Sequence, residues 1–179
     1  MTVPASELRT ALFVRVPADP LVEDFRRRHN ASSVARRIPP HVTVLFPFAL
    51  VAGVDTSLLT RLAEHFSTFP AFEAALGAVG RFEGVVWLAP EPRKRFVELI
   101  EATSRAFPAY PPYEGAFAEP EPHLTIGELA EPGDGRLLTE RAQAELGARL
   151  PFPFLVDAVE LYEELEDGTW RESARFGLG

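Results

Sequence analysis

The chain has no cysteine, which excludes disulfides and thiolate metal sites. It has no apolar run near the roughly 20 residues that a membrane span needs. Its opening, Met1 to Glu7, has neither the basic nor the apolar region of a signal peptide. These absences together set the expectation of a cytoplasmic chain with no membrane partner. Glycine-rich nucleotide loops are also missing, both the P-loop and G-x-G-x-x-G. So is the G-x-S-x-G elbow of a Ser-His-Asp hydrolase. Positive charge is scarce: the net charge is −8, which argues against bulk nucleic-acid binding through a broad basic face. Recognition of one phosphate or a short RNA end stays open. Lysine is nearly absent, with Lys94 beside seventeen arginines. Arginine suits phosphate, because its planar fork donates two bonds at once.

What is present is an ordinary globular composition, 46% hydrophobic and 25% charged over 179 residues. That length suits a single domain spanning residues 1–179, with about 70% of the unfolded surface buried. Strands are expected at Thr10–Val16, His41–Phe48, Phe72–Val79, from Val85, at His123–Leu129, Phe152–Tyr162 and Thr169–Phe176. Helices are expected from Asp19 to about His29 and from Asp55 or Thr56 to about Phe66. Two more should run from Pro92 to about Phe107 and from an Asp134 cap to about Leu146. Residues 30–40 and 108–122 read as loops, residues 80–84 as a turn, and Asp167-Gly168 as a hairpin turn.

Two triplets stand out, His41-Val42-Thr43 and His123-Leu124-Thr125. Each follows a proline and opens a β-branched or aromatic run. On a strand, residues i and i+2 share a face. His41 projects with Thr43, and His123 with Thr125, opposite Val42, Val44, Leu124 and Ile126. An imidazole and a hydroxyl side by side, offered twice, suit a small anion. The triplets also sit at matching places in a repeat. Each half reads strand, helix, loop, His-x-Thr strand, helix, strand, over about 10–80 and 84–176. The histidines are 82 residues apart, Leu58-Leu59-Thr60 and Leu137-Leu138-Thr139 are 79 apart, and Pro70 and Pro151 are 81 apart. This layout predicts an α+β fold of two pseudo-symmetric lobes around a central groove. Each lobe would carry an antiparallel-rich sheet with helices on its outer face. Because the repeat supplies both halves of a site, a monomer is expected.

Paired H-x-[ST] triplets at this spacing, in Pro40-His41-Val42-Thr43-Val44-Leu45 and Pro122-His123-Leu124-Thr125-Ile126, resemble the two-histidine (2H) phosphoesterases. The nearest branch is that of the bacterial RNA 2′,3′-cyclic phosphodiesterases, also called 2′-5′ RNA ligases. The resemblance covers about residues 10–176. It implies a metal-free, cofactor-free enzyme that opens 2′,3′-cyclic phosphates at RNA ends or on small nucleotides to 2′-phosphates, with reversible ligation. It also implies His41 as the proton donor, His123 as the acceptor, and Thr43 and Thr125 as ligands of the phosphate oxygens. The chemistry agrees, since an imidazole titrates near working pH and can give or take a proton. The alternative is a non-catalytic module that holds a nucleotide or RNA end on the same fold.

Other candidates are weaker signals. Arg36 and Arg37, ahead of the first triplet, could reach substrate phosphate; by composition they read as a solvated face. Tyr110, Tyr113 and Phe117 could stack on a nucleobase or simply pack a proline-rich loop. Phe13 and Arg15 on the first strand are groove candidates or, more blandly, core and surface. His29 and His65 fall near helix ends, where a positive side chain is favoured, and read as structural. His-x-Thr is not a zinc spacing; Glu121 and Glu128 could assist a metal, but none is expected.

Overall fold

A computed structural model describes residues 4–111, 121–129 and 135–179. Among these residues eight strands form two four-stranded antiparallel sheets. They are β1 (Thr10–Arg15), β2 (His41–Leu45), β3 (Phe72–Phe82), β4 (Val85–Glu91), β5 (Leu124–Glu128), β6 (Phe152–Val156), β7 (Ala158–Glu164) and β8 (Trp170–Gly177). The helices are α1 (Asp19–His29), α2 (Ala31–Ala35), α3 (Thr56–Ser67), α4 (Arg93–Ala106) and α5 (Gly135–Leu146). One sheet has the order β2-β1-β7-β8 and the other β5-β4-β3-β6. Among the described residues no helix is long and apolar enough to cross a membrane.

The expected helices form for the expected reasons. Asp55 caps α3, its carboxylate accepting from the Leu58 N–H at 2.8 Å. The inward faces of α3 and α5 repeat at a constant offset of 80: Leu58, Leu62 and Phe66 against Leu138, Ala142 and Leu146, all buried. Each large apolar side chain so buried contributes about 1.5–3 kcal/mol.

Four expectations need correction. Asp19 does not cap α1; it is the first helical residue, after Ala18, and Pro20 takes the tolerated first-turn place. Residues 30–40 are not all loop, because α2 forms within them. The turn expected over residues 80–84 is confined to its end, at Gly84 with φ +77°, since β3 runs on past Val79 to Phe82. The expected strand 152–162 is two strands in different sheets. β6 pairs with β3, and after Asp157 the chain crosses so that β7 pairs with β1. The burial pattern marks the change. β6 alternates as an edge strand, which also accommodates Pro153, whereas β7 is buried on both faces between two neighbours. The Asp134 cap, Tyr113 and Phe117 lie outside the described residues.

The two halves are interleaved rather than side by side. β3, from the first half, joins the sheet of the second; β7 and β8 complete the sheet of the first. The helices cross over as well: α1 packs on β5, and α4 packs on β2. One continuous hydrophobic core joins residues of both halves, from Leu12 and Phe66 to Leu124 and Leu161. β2 and β5 are edge strands of their sheets, and these two edges approach each other.

Candidate active site

Each of the approaching edges carries one His-x-Thr. Alternation on β2 buries Val42 and Val44 and leaves His41 and Thr43 partly accessible. On β5 it buries Leu124 and Ile126 and leaves Thr125 partly accessible, with His123 just ahead of the strand. The histidines are anchored alike. His41 Nδ1 bonds the carbonyl of Pro39 at 2.8 Å, and His123 Nδ1 bonds that of Glu121 at 2.7 Å. A carbonyl only accepts, so each Nδ1 carries the proton and each Nε2 is left open. Among the described residues neither Nε2 has a hydrogen-bond partner. The hydroxyls of Thr43 and Thr125 are equally uncommitted there, unlike those of Thr10, Thr60 and Thr103, which bond backbone carbonyls.

The neighbours of the two triplets match in register. Phe13 is the cross-strand partner of Thr43, and Trp87 is that of Thr125. Phe13 stacks on His41, with ring centroids 3.8 Å apart. His123 meets Phe82 edge-on at 5.0 Å and Trp87 at 6.2 Å. The Trp87 ring lies over Gly80, where a Cβ would come within 2.4 Å of it. Phe13 was a candidate from sequence; Trp87 and Phe82 were not. Their signal was the repeat itself, because Trp87 stands in the second copy where Phe13 stands in the first.

Electrostatics separate the two imidazoles. Burial pushes His41 down to about 4, partly offset by its bond to the Pro39 carbonyl. The charges of Arg26 and of His123 push it the same way as burial, so the two rings feel each other. Arg26 is itself buried, at 3% exposure, and its Nη2 donates to the Ile38 carbonyl at 2.7 Å. His123 is also held below the usual histidine value by burial, but the Glu121 carbonyl and carboxylate favour its protonated form.

The remaining candidates fall in different places. Arg36 is engaged: Nη2 bonds Glu164 at 2.8 Å and Nε bonds the Gly168 carbonyl at 3.1 Å. Arg37, at φ +59°, lies in the field of Asp167. Tyr110 packs on Phe48, in the core. His29 and His65 lie in the last turns of α1 and α3, where the sequence placed them, but their surroundings do not favour cations. Burial lowers the proton affinity of both, and His65 bonds the Thr103 hydroxyl at 3.1 Å. A cavity of about 530 Å³ lies beyond the far end of β5, beside His29, Asn30 and Leu138. It does not include either His-x-Thr. Among the described residues no three His, Asp or Glu side chains cluster as metal ligands.

Two antiparallel sheets, each offering a histidine and a threonine at its edge, define the two-histidine phosphoesterase class of fold. The chain belongs to the 2′-5′ RNA ligase superfamily, whose family model matches residues 14–168. It is 28% identical over 177 residues to the protein named "Putative phosphoesterase BH1439" of Halalkalibacterium halodurans, covering 94% of this chain and 95% of that one. Its fold is similar to that of E. coli LigT in apo form, with TM-score 0.58, 18% identity, and 95% and 96% of the two chains covered. It is similar also to TT0787 of Thermus thermophilus, with TM-score 0.59, 17% identity, and 94% and 97% covered.

Proposed function

We propose that the chain is a metal-independent phosphoesterase that opens 2′,3′-cyclic phosphates, at RNA ends or on small nucleotides, to 2′-phosphates. The observation that carries this reading is the pair of open Nε2 atoms on converging strand edges, each ring locked by the same bond to the carbonyl two residues back. Family membership supports it, and E. coli LigT, which shares the fold, has been crystallised with 3′-AMP.

A water oxygen attacks phosphorus and its proton passes to one Nε2. The P–O3′ bond breaks, and O3′ takes a proton from the other Nε2. The same steps, with a 5′-hydroxyl in place of water, give 2′-5′ ligation without a nucleotide triphosphate. The electrostatics favour His41 as base and His123 as acid, the reverse of the roles that the family resemblance implies. His41 is the ring kept neutral, by burial and by the Arg26 cation; His123 has a carboxylate nearby. The Thr43 and Thr125 hydroxyls donate to the non-bridging oxygens as charge develops.

Turnover of a 2′,3′-cyclic nucleotide should persist in EDTA and yield only the 2′-phosphate, read by chromatography against 2′- and 3′-phosphate standards. Abolition by EDTA would refute the metal-free step, and binding without turnover would leave a nucleotide-holding module. Thr43→Ala and Thr125→Ala should each lower kcat roughly 10²–10³-fold, and the serine variants much less, since only the hydroxyl is needed.

The pH profile follows from the two shifts. The free enzyme is competent when the base is neutral and the acid is protonated. kcat/KM should therefore fall below about 4, where His41 takes a proton. It should also fall above His123's own value, which lies under 6.5. An optimum between these limits is expected, and an optimum above pH 8 would contradict the assignment.

A further inference from the structure

Arg15 plays no part in the mechanism above, yet it is the cross-strand partner of His41 on β1. Directly opposed residues share a face, with Cβ atoms about 4.5–5.5 Å apart. Phe13, two residues back on that face, is buried, whereas Arg15 is exposed, so Arg15 stands at the rim. Most arginines nearby are neutralised: Arg9 and Arg36 share Glu164, Arg171 holds Glu163, and Arg175 holds Asp157 and Glu160. Among the described residues Arg15 has neither a hydrogen bond nor an ion pair. Its charge acts on Glu160, which also feels Glu172. Glu160 is buried and already bonded by Arg175 and by the Tyr162 hydroxyl.

The repeat sharpens the point. Phe13 matches Trp87, so Arg15 matches Ala89, two residues further along β4. The site is nearly symmetric in its imidazoles, hydroxyls and aromatic supports, but not in this cation. The reacting phosphate lies between the halves and is served by both threonines. A cation on one side only suits a ligand with a second anion on one side only.

Resting on the phosphoesterase reading, we propose that Arg15 is a specificity-determining residue for a second phosphate, one ribose away from the reacting one. The substrates are then 2′,3′-cyclic phosphates that carry a 5′-phosphoryl group. That group could be the last internal phosphodiester of an RNA end or the diphosphate bridge of a small dinucleotide.

The test compares adenosine 2′,3′-cyclic phosphate with its 5′-phosphorylated form. For the wild-type chain the 5′-phosphate should raise kcat/KM by roughly tenfold or more, as a charge-assisted Arg–phosphate contact does. Arg15→Ala should erase that preference and leave the 5′-hydroxyl substrate almost unaffected, while Arg15→Lys keeps part of it. No preference in the wild type overturns the proposal. So does an equal loss on both substrates, which would put Arg15 on the reacting phosphate instead. An adenylyl dinucleotide ending in a cyclic phosphate, set beside a diphosphate-bridged cyclic phosphate, shows which source is favoured. Calorimetry with adenosine 2′,5′-bisphosphate and 2′-monophosphate keeps the proposal separate from catalysis. Bisphosphate selectivity lost in Arg15→Ala supports it even if nothing turns over, and binding of neither compound refutes the shared site.

Discussion

Alanine at either His41 or His123 is expected to lower kcat for a 2′,3′-cyclic nucleotide by roughly 10²–10⁴-fold, the usual contribution of a positioned acid or base. Both rings are partly accessible, so folding should survive, and a thermal melt of each variant checks this. The double variant should lose little more than the worse single one, because acid and base act on one transition state and their losses are not additive. The two variants should part company on a substrate whose bridging 3′-oxygen is replaced by sulfur. A thiolate leaves without a proton, so the acid becomes dispensable while the base does not. His123→Ala should recover most of its loss on that analogue, and His41→Ala should recover little. Recovery in His41→Ala instead would restore the roles implied by the family resemblance. The reason to expect His41 as base is local. The Phe13 ring covers it at 3.8 Å, and the buried Arg26 guanidinium holds the carbonyl one residue before its own anchor. The burial to which that ring contributes, and the Arg26 charge, both disfavour an imidazolium.

The site was legible in the sequence where its chemistry is carried by residue type and period. Histidine and threonine at i and i+2, twice and in register, place four groups on two strand faces, and the burial of Val42, Val44, Leu124 and Ile126 agrees with that reading. What could not be read was partnership. Alternation tells which face of a strand is buried but not which strand lies beside it. Residues 152–162 looked like one element because apolar character runs straight through them, yet Asp157 marks a change of sheet. Arg36 looked like a phosphate contact because its partner, Glu164, stands 128 residues away. Phe82 looked like part of a turn, because Gly80 and Gly84 bracket it. Gly80 is small for another reason: the Trp87 ring occupies the space of its missing side chain.

The repeat boundary invites a cut between residues 80 and 84, and fragments 10–80 and 84–176 are expected not to fold separately. In the first, β1 would lose β7, its neighbour on one edge, and β3 would lose both β4 and β6. What remains is the two-stranded pair of β1 and β2, marginal by itself in water. In the second, the hairpin of β7 and β8 would lose β1, and its two-faced burial would become exposed apolar surface. Helix packing fails in the same way. α1 would be parted from β5, where Gly127 lies against His29 and Phe25, and α4 from β2. The first fragment would leave Leu12, Val14, Leu45 and Phe66 without much of the core they share, at about 1.5–3 kcal/mol for each large side chain. Net stabilities of whole domains are only about 5–15 kcal/mol, so no fragment can absorb such a loss. Circular dichroism of each fragment should show no cooperative melt. Mixing the two should restore one, together with activity, because each His-x-Thr edge is backed by a helix from the opposite fragment. A cooperative transition in either fragment alone would mean that the halves are independent lobes and that this interleaving is not what holds the two imidazoles together.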